Sequence, residues 1–296
     1  MRFFLKLRQK SRSILTMDID ARLDKIQESL GRIETRQTAE LASGNLLNNE
    51  FRVFSQWGED GIIQKLIRHI DIGEKIFIEF GVENYTESNT RFLLTNNNWS
   101  GLVIDGSQSN IDYIKRDKIY WQYNLKAECA FITKENINQI FEKNGIKGDI
   151  GILSIDIDGN DYWVWEAITT VNPAIVIIEY NAKFGSDLSV TVPYESDFVR
   201  SKKHYSMIYY GASLKALYIL GSKKGYTLVG CNSNGVNAFF VRNDLMVNEI
   251  KEVTVADGYF SNLFRESRDI DGKLMYLSPE EELKLILTMP LIEINE

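Results

Sequence analysis

A chain of 296 residues, 44% hydrophobic and 25% charged, is long enough to bury a full core and fits one large domain with accessories. Net charge is −7, and because Arg2, Lys6, Arg8, Lys10 and Arg12 sit in the first 17 residues with no acid among them, the rest is more acidic still. An acidic body argues against nonspecific nucleic-acid binding, and two distant cysteines, Cys129 and Cys231, argue against a disulfide framework or zinc cluster.

Residues 2–15 interleave Phe3, Phe4, Leu5, Leu7, Ile14 and Leu15 with those five basic groups. The apolar stretch breaks at Lys6, short of the roughly 7–15 residues of a secretory core, and no later run approaches the ~18 residues of a membrane span. The expectation is a cytoplasmic protein, its basic terminus either solvated or in peripheral contact with the inner membrane face. Ile19, Leu23, Ile26, Leu30 and Ile33 follow at spacings of 4, 3, 4 and 3, with charged residues between them. A 3.5-residue apolar repeat makes helices supercoil. Residues 1–47 are therefore read as a basic segment and a coiled-coil helix forming a homo-oligomer, dimer or trimer, against the competing reading of a helix packed on its own domain. Ala42-Ser-Gly-Asn45 breaks that helix.

From Phe51 the pattern becomes alternating helix and strand. Phe54-Ser-Gln-Trp-Gly-Glu-Asp60 leads into Ile62, Ile63, Leu66, Ile67 and Ile70, an amphipathic helix begun from the Ser55 cap region. Strands are expected at 76–80, 101–105, 119–123, 150–156 and 174–180, with helices at about 88–97, 109–117, 134–144 and 161–169. Apolar strands separated by helices imply a parallel sheet covered on both faces. Beyond a helix near Leu214 and Leu217, strands at 226–231 and 236–242 flank the turn Asn232-Ser-Asn-Gly235 and read as a hairpin. The expected fold class is α/β, a doubly wound, Rossmann-like sheet ending in an antiparallel hairpin. It resembles the seven-stranded class I methyltransferase architecture and occupies residues 48–245. Residues 246–296 are expected to form a helical extension.

Lys75-Ile-Phe-Ile-Glu79-Phe-Gly81 and Gly101-Leu-Val-Ile-Asp105-Gly each run an apolar strand into an acid and a glycine. That is how an open α/β sheet grips a nucleoside-like ligand at its carboxyl edge. Asp105 follows Glu79 by 26 residues, close to the ~20-residue spacing of a ribose-binding acid. Phe54-Ser-Gln-Trp-Gly-Glu-Asp-Gly61, Phe77-Ile-Glu-Phe-Gly-Val82, Ile155-Asp-Ile-Asp-Gly-Asn-Asp-Tyr162 and Ile177-Ile-Glu-Tyr-Asn181 together resemble FkbM-like methyltransferases, which modify sugars on polysaccharides and natural products. The resemblance covers about residues 51–242 and implies S-adenosylmethionine as cofactor and a sugar hydroxyl as acceptor. Glu79 and the Gly81 turn are then expected at the methionine moiety, with Gln56. Thr86, Ser88 and Asn89 would cap a helix facing its carboxylate. Asp105 would take the ribose hydroxyls, Ser107 and Asn124 the adenosine, and Asp156 would stand with this cofactor set. Glu83 departs from the pattern, standing where a second glycine is frequent.

The expected chemical centre is Asp156-Ile-Asp158-Gly-Asn160-Asp161. Asp156 and Asp158 share a face if the strand continues, and Glu179-Tyr-Asn181 ends the next strand. Hard oxygens at adjacent strand ends suit Mg²⁺, as in the similar catechol and macrocin O-methyltransferases, with Asp158, Glu179 and Asn181 as ligands. Asp161, Asp158 and His204 are the candidate bases. A tyrosine-rich insertion after the fifth strand offers aromatic faces for a sugar. Two alternatives stay open: a metal-dependent glycosyltransferase using the DxD of Asp156 and Asp158, and a noncatalytic coiled-coil scaffold.

Overall fold

The computed structural model describes residues 2–40 and 45–295, and of residues 2–18, 20 and 21 only the backbone. The expected helix break at 41–44 and the side chains of the basic amphipathic segment therefore lie outside the described residues. No described helix is long and apolar enough to cross a membrane.

Helix α1 (Arg2–Ala39) precedes the alternating region. Next come α2 (Glu59–His69), β1 (Ile76–Phe80), α3 (Arg91–Asn97), β2 (Ser100–Asp105), α4 (Gln108–Arg116), α5 (Lys118–Gln122), β3 (Leu125–Cys129), α6 (Ile137–Lys143) and β4 (Gly148–Ile155). The chain continues through α7 (Asp161–Ala167), β5 (Val171–Glu179), the short β6 (Val190–Thr191), α8 (Arg200–Lys203), α9 (Leu214–Lys223) and the hairpin β7 (Tyr226–Cys231) and β8 (Asn237–Arg242). Beyond it lie α10 (Val255–Gly258), α11 (Pro279–Ile286) and β9 (Ile292–Glu293), which pairs with β6.

The main sheet has the order β3-β2-β1-β4-β5-β8-β7, parallel from β3 to β5, with β8 antiparallel to both β5 and β7. It is the doubly wound seven-stranded α/β fold that the sequence implies. Alternate residues of each strand enter different cores. Ile78, Leu102, Leu153 and Val176 pack with Phe141, Trp165 and Leu217 on one face, while Phe77, Val103, Ile152 and Ile175 pack with Ile62, Leu66 and Leu94 on the other. Because sheet order reverses between β1 and β4, the crevice above these strand ends is where a ligand fits.

One expected strand is a helix. Asp117 accepts the N–H of Ile119 and caps α5, so the run Ile119–Tyr123 coils, and the third strand starts only at Leu125. The start of α2 also differs in detail. Gly58, at φ +113, is its N-cap, while Ser55 acts from outside by accepting the N–H of Asp60.

Helix α1 docks on the body by a narrow stripe of small and polar groups. Asp24 approaches Arg91 to 3.7 Å, Gln27 donates to the carbonyl of Val53, and the carbonyl of Thr35 accepts from Arg68. Between them Gly31 is buried so closely that an added Cβ would lie 2.4 Å from Val53 Cγ2. Ile19, Leu23, Ile26, Leu30 and Ile33 stay 53–57% exposed. The helix thus packs on its own domain, through a stripe other than the Ile19–Ile33 seam.

Candidate active site

The carboxyl ends of the strands open into a cavity of about 770 Å³. Gly106, Phe131 and Ile132 line it beside Asp105; Gly81, Val82 and Glu83 lie centrally; Asp156, Glu179 and Asn237 bound the side toward the hairpin. Gln56, Trp57, Phe264 and Glu266 complete the wall from segments outside the sheet.

Gly81 sets the geometry. It sits at φ +65, and an added Cβ would fall 1.7 Å from the carbonyl oxygen of Asp156, so only glycine lets the exits of β1 and β4 touch. Glu83, where glycine was expected, keeps a left-handed conformation at φ +46, and its N–H donates to Asp105 Oδ2 at 2.9 Å. Asp105 Oδ1 accepts from the N–H of Ser107 and from Asn110 Nδ2. A carboxylate offers about four lone-pair sites, so Asp105 retains capacity for a ligand.

Glu79 is placed differently from expectation. It lines the cavity, but Oε1 accepts the N–H of Asn89 and Oε2 accepts the N–H and hydroxyl of Thr90. Its charge holds the start of α3, and those N–H groups are not available to a ligand carboxylate. Burial pushes its carboxyl up to about 7. Ser88 and Asn89 line the cavity, with Ser88 Oγ accepting the N–H of Arg91 and Asn89 Nδ2 donating to Ser154. Gln56 and Thr86 also line it, whereas Ser107 does not, its hydroxyl pairing with Ser109. Asn124 is misplaced by the misassigned strand: it precedes β3, exposed at the amino edge of the sheet, opposite the cavity.

The expected metal set does not converge. β4 ends at Ile155, and Asp158, at φ +55, lines the cavity with its carboxylate 57% exposed and paired with Arg200 at 2.6 Å. Strand alternation therefore does not align Asp156 with Asp158, although both line the cavity. Asn181 is fully buried below the site, donating to the carbonyls of Ile208 and Tyr210 and accepting the N–H of Lys183. Instead, Asp156, Asp161 and Glu179 each bring an oxygen within 4.8 Å of the others.

Within that trio the roles differ. Asp161 holds the loop before α7 by accepting the N–H groups of Ile157 and Gly159, both at 2.9 Å, and burial pushes it up to about 6. Asp156 and Glu179 face each other with no backbone donors. Burial first, then the charges of Asp158 and Asp161, holds Asp156 well above the usual carboxylate range, against Arg200 and a hydrogen bond with Glu179. Burial followed by the charges of Asp156, Asp158 and Asp161 does the same for Glu179. Glu179 Oε2 is buried without a partner. His204, the other expected base, is not a lining residue: it pairs with Ser206 and packs on Tyr205.

Several lining residues carry no local sequence signal. Arg200 stacks on Tyr210 at 3.7 Å, donates to the carbonyl of Met207 and pairs with Asp158 and Glu266. Glu266 also pairs with Lys183, and Phe264 stacks on Trp57 with centroids 5.1 Å apart. The segment after β8 thus builds part of the wall. Two further clamps hold the loop before α2: Asp60 Oδ2 accepts the backbone N–H groups of Val53, Phe54 and Ser55, and Glu59 accepts the backbone N–H of Trp57 and the side-chain amides of Asn232 and Asn237.

No protein-family profile and no curated protein matches the chain. Among solved structures, it is similar to a putative caffeoyl-CoA O-methyltransferase from Staphylococcus aureus, at 16% identity over 74% of this chain and 98% of that one, TM-score 0.42. It is similar to an S-adenosylmethionine-dependent methyltransferase from Clostridium acetobutylicum ATCC 824, at 13% identity over 62% and 90%, TM-score 0.39. A third is the O-methyltransferase from Bacillus cereus in complex with SAH, at 13% identity over 62% and 78%, TM-score 0.37. Likeness of this degree says nothing of reaction or substrate.

Glu79, Asp60 and Asp161 titrate near 6 to 7 in the folded chain and near 4 when unfolded, so the folded state keeps protons that the unfolded state releases. Their contribution to stability is complete below pH 4 and is lost as pH rises through 6 to 7; the lowered His69 and His204 pull weakly the other way. The unliganded protein is expected to melt at a higher temperature at pH 5.5 than at pH 8, and a flat calorimetric profile contradicts this.

Proposed function

We propose that the chain is an S-adenosylmethionine-dependent O-methyltransferase acting on a hydroxyl of a sugar in a glycan, polysaccharide or sugar-nucleotide. The observation that carries the reading is a single cavity running from Asp105, a ribose-type acid at the end of β2, to the unanchored carboxyl pair Asp156 and Glu179 at the ends of β4 and β5. Asp105 would hold the ribose through its remaining lone pair, Phe131 and Ile132 would flank the base, and Gln56 and Ser88 would meet the amino-acid end. When bound, S-adenosylmethionine supplies an electrophilic methyl group. Asp156, its basicity raised by burial and by the charges of Asp158 and Asp161, accepts the proton of the acceptor hydroxyl. Trp57 and Phe264 exclude water from that end.

A divalent cation is a second reading of the same carboxyls, favoured by the three oxygens brought together and the orphaned Glu179 Oε2. Asp156, Asp161 and Glu179 would hold it, and it would lower the pKa of the acceptor hydroxyl.

The exposed seam of α1 is proposed to pack against further copies of the chain. Its spacing puts Ile19, Ile26 and Ile33 at d positions and Leu23 and Leu30 at a positions, a distribution that favours more than two strands.

Asp105→Ala is expected to weaken S-adenosylhomocysteine binding at least about tenfold in calorimetry with the fold retained, the loss of one hydrogen bond to a charged group; unchanged affinity removes Asp105 from the site. Asp156→Asn should lower kcat by roughly 10²–10⁴-fold in methyl transfer to a glycan panel, and abolish the rise of wild-type rate with pH above the usual carboxylate range. Chelator leaves turnover intact if the pair works by proton transfer alone, while loss reversed by Mg²⁺ selects the cation. For the helix, light scattering should give a trimer or tetramer that Leu23→Lys with Leu30→Lys dissociates, and a monomeric parent chain refutes the seam.

A further inference from the structure

Glu179 and Asn237 are direct cross-strand partners at the site end of β5 and β8. Both line the cavity, both are more than nine-tenths buried, and each keeps one oxygen, Glu179 Oε2 and Asn237 Oδ1, without a hydrogen-bond partner. Buried polar atoms in folded proteins are almost always satisfied. Two neighbouring exceptions on one cavity wall indicate partners supplied by a ligand.

The chemistry of that ligand follows from the direction of the amide. Asn237 Nδ2 donates to Glu59 Oε1 at 2.9 Å, and Glu59, fully buried, accepts as well from Asn232 Nδ2 at 2.8 Å and from the N–H of Trp57 at 2.9 Å. A carboxylate only accepts, so the amide nitrogen must face Glu59 and the carbonyl oxygen must face away from it. With the proton of the acid pair on Asp156 or on Glu179 Oε1, the wall presents two acceptors, Glu179 Oε2 and Asn237 Oδ1. Directly opposed residues of an antiparallel pair hold their Cβ atoms about 4.5–5.5 Å apart, which suits donors on adjacent ligand atoms.

We propose that Glu179 and Asn237 read a vicinal diol on the acceptor, with Glu59 as the positioning residue that fixes the Asn237 amide. The naming of that ligand as the acceptor rests on the methyl-transfer reading above. The two strand partners form a specificity element that the sequence alone does not juxtapose, since 58 residues separate them. Adjacent equatorial or axial–equatorial hydroxyls of a pyranose each donate one hydrogen, one to each orphaned oxygen. An acceptor lacking either hydroxyl leaves a buried oxygen unsatisfied and is disfavoured.

The test uses the full-length protein loaded with S-adenosylhomocysteine and titrated with methyl α-D-mannopyranoside, methyl α-D-glucopyranoside, their 2-deoxy and 3-deoxy counterparts and methyl 2-amino-2-deoxyglucoside, read by saturation-transfer NMR. At least one intact glycoside should bind, with roughly tenfold loss on removal of one hydroxyl of the pair. Asn237→Ala should cause the same loss and abolish the difference between intact and deoxy sugars, with S-adenosylhomocysteine affinity kept within about twofold. Glu59→Gln, which is isosteric and can turn an amide donor toward Asn237 Oδ1, should erase that discrimination while thermal melting shows the fold intact. Equal binding of intact and deoxy glycosides, tighter binding of the amino sugar, binding of none, or binding that chelator removes and Mg²⁺ restores would each overturn the diol assignment. Failure to bind S-adenosylhomocysteine at all is a different result, since it defeats the methyl-transfer reading itself.

Discussion

A carboxylate removed from water must find donors, and this constraint organises the carboxyl edge of the sheet. Asp60 takes three backbone N–H groups, Asp161 takes two, and Glu79, Asp105 and Glu59 each take at least one. Each bond ties a loop to a strand end or helix start: the 53–55 segment to α2, the 157–159 turn to α7, the start of α3 to β1, and the Gly81 loop to β2. Backbone amides suit the task, because an amide donor cannot dissociate and its position is set by the fold. Asp156 and Glu179 stand apart as acids that no backbone group anchors, and so they are free to exchange a proton.

The same electrostatic logic fastens distant parts of the chain. Arg91, almost fully buried, donates to the carbonyl of Tyr85, lies 3.7 Å from both Asp24 and Asp117 and stacks over Phe54. It joins α1 to the loops of the sheet. On the other side Glu266, which burial would raise but Lys183 and Arg200 hold below its ordinary value, draws the segment after β8 onto the cavity. An acid balanced by two cations in a partly dry site is costly to separate, so Phe264 is held where it can stack on Trp57.

Much of this was legible in the sequence because strands and helices announce themselves by local periodicity. Glu79, Asp105, Asp156 and Glu179 were identified as strand-end acids, and all four line the cavity. The errors have local causes too. Asp117 turned an apolar run into a helix and moved Asn124 to the wrong edge; a left-handed turn at Asp158 broke the alternation that would have aligned it with Asp156. What local pattern could not show was which acids were already committed to backbone amides. Arg200, Asn237, Phe264 and Glu266 were invisible for another reason: their places depend on strand register and on contacts between segments far apart in the chain.

The contact between Gly81 and the carbonyl of Asp156 links the two ends of the site. The loop beginning at Gly81 reaches Asp105 through Glu83, and the residue whose carbonyl it meets carries the unanchored carboxyl. A shift of the β1 exit therefore moves the ribose-type acid's loop and the chemical pair together, and a shift of β4 does the same in reverse. Because that contact leaves no room for a Cβ, the spacing between the gripping end and the reacting end is set by backbone against backbone, the stiffest material the fold offers. Side chains such as Asn237 and Arg200 can then vary the far wall without disturbing it.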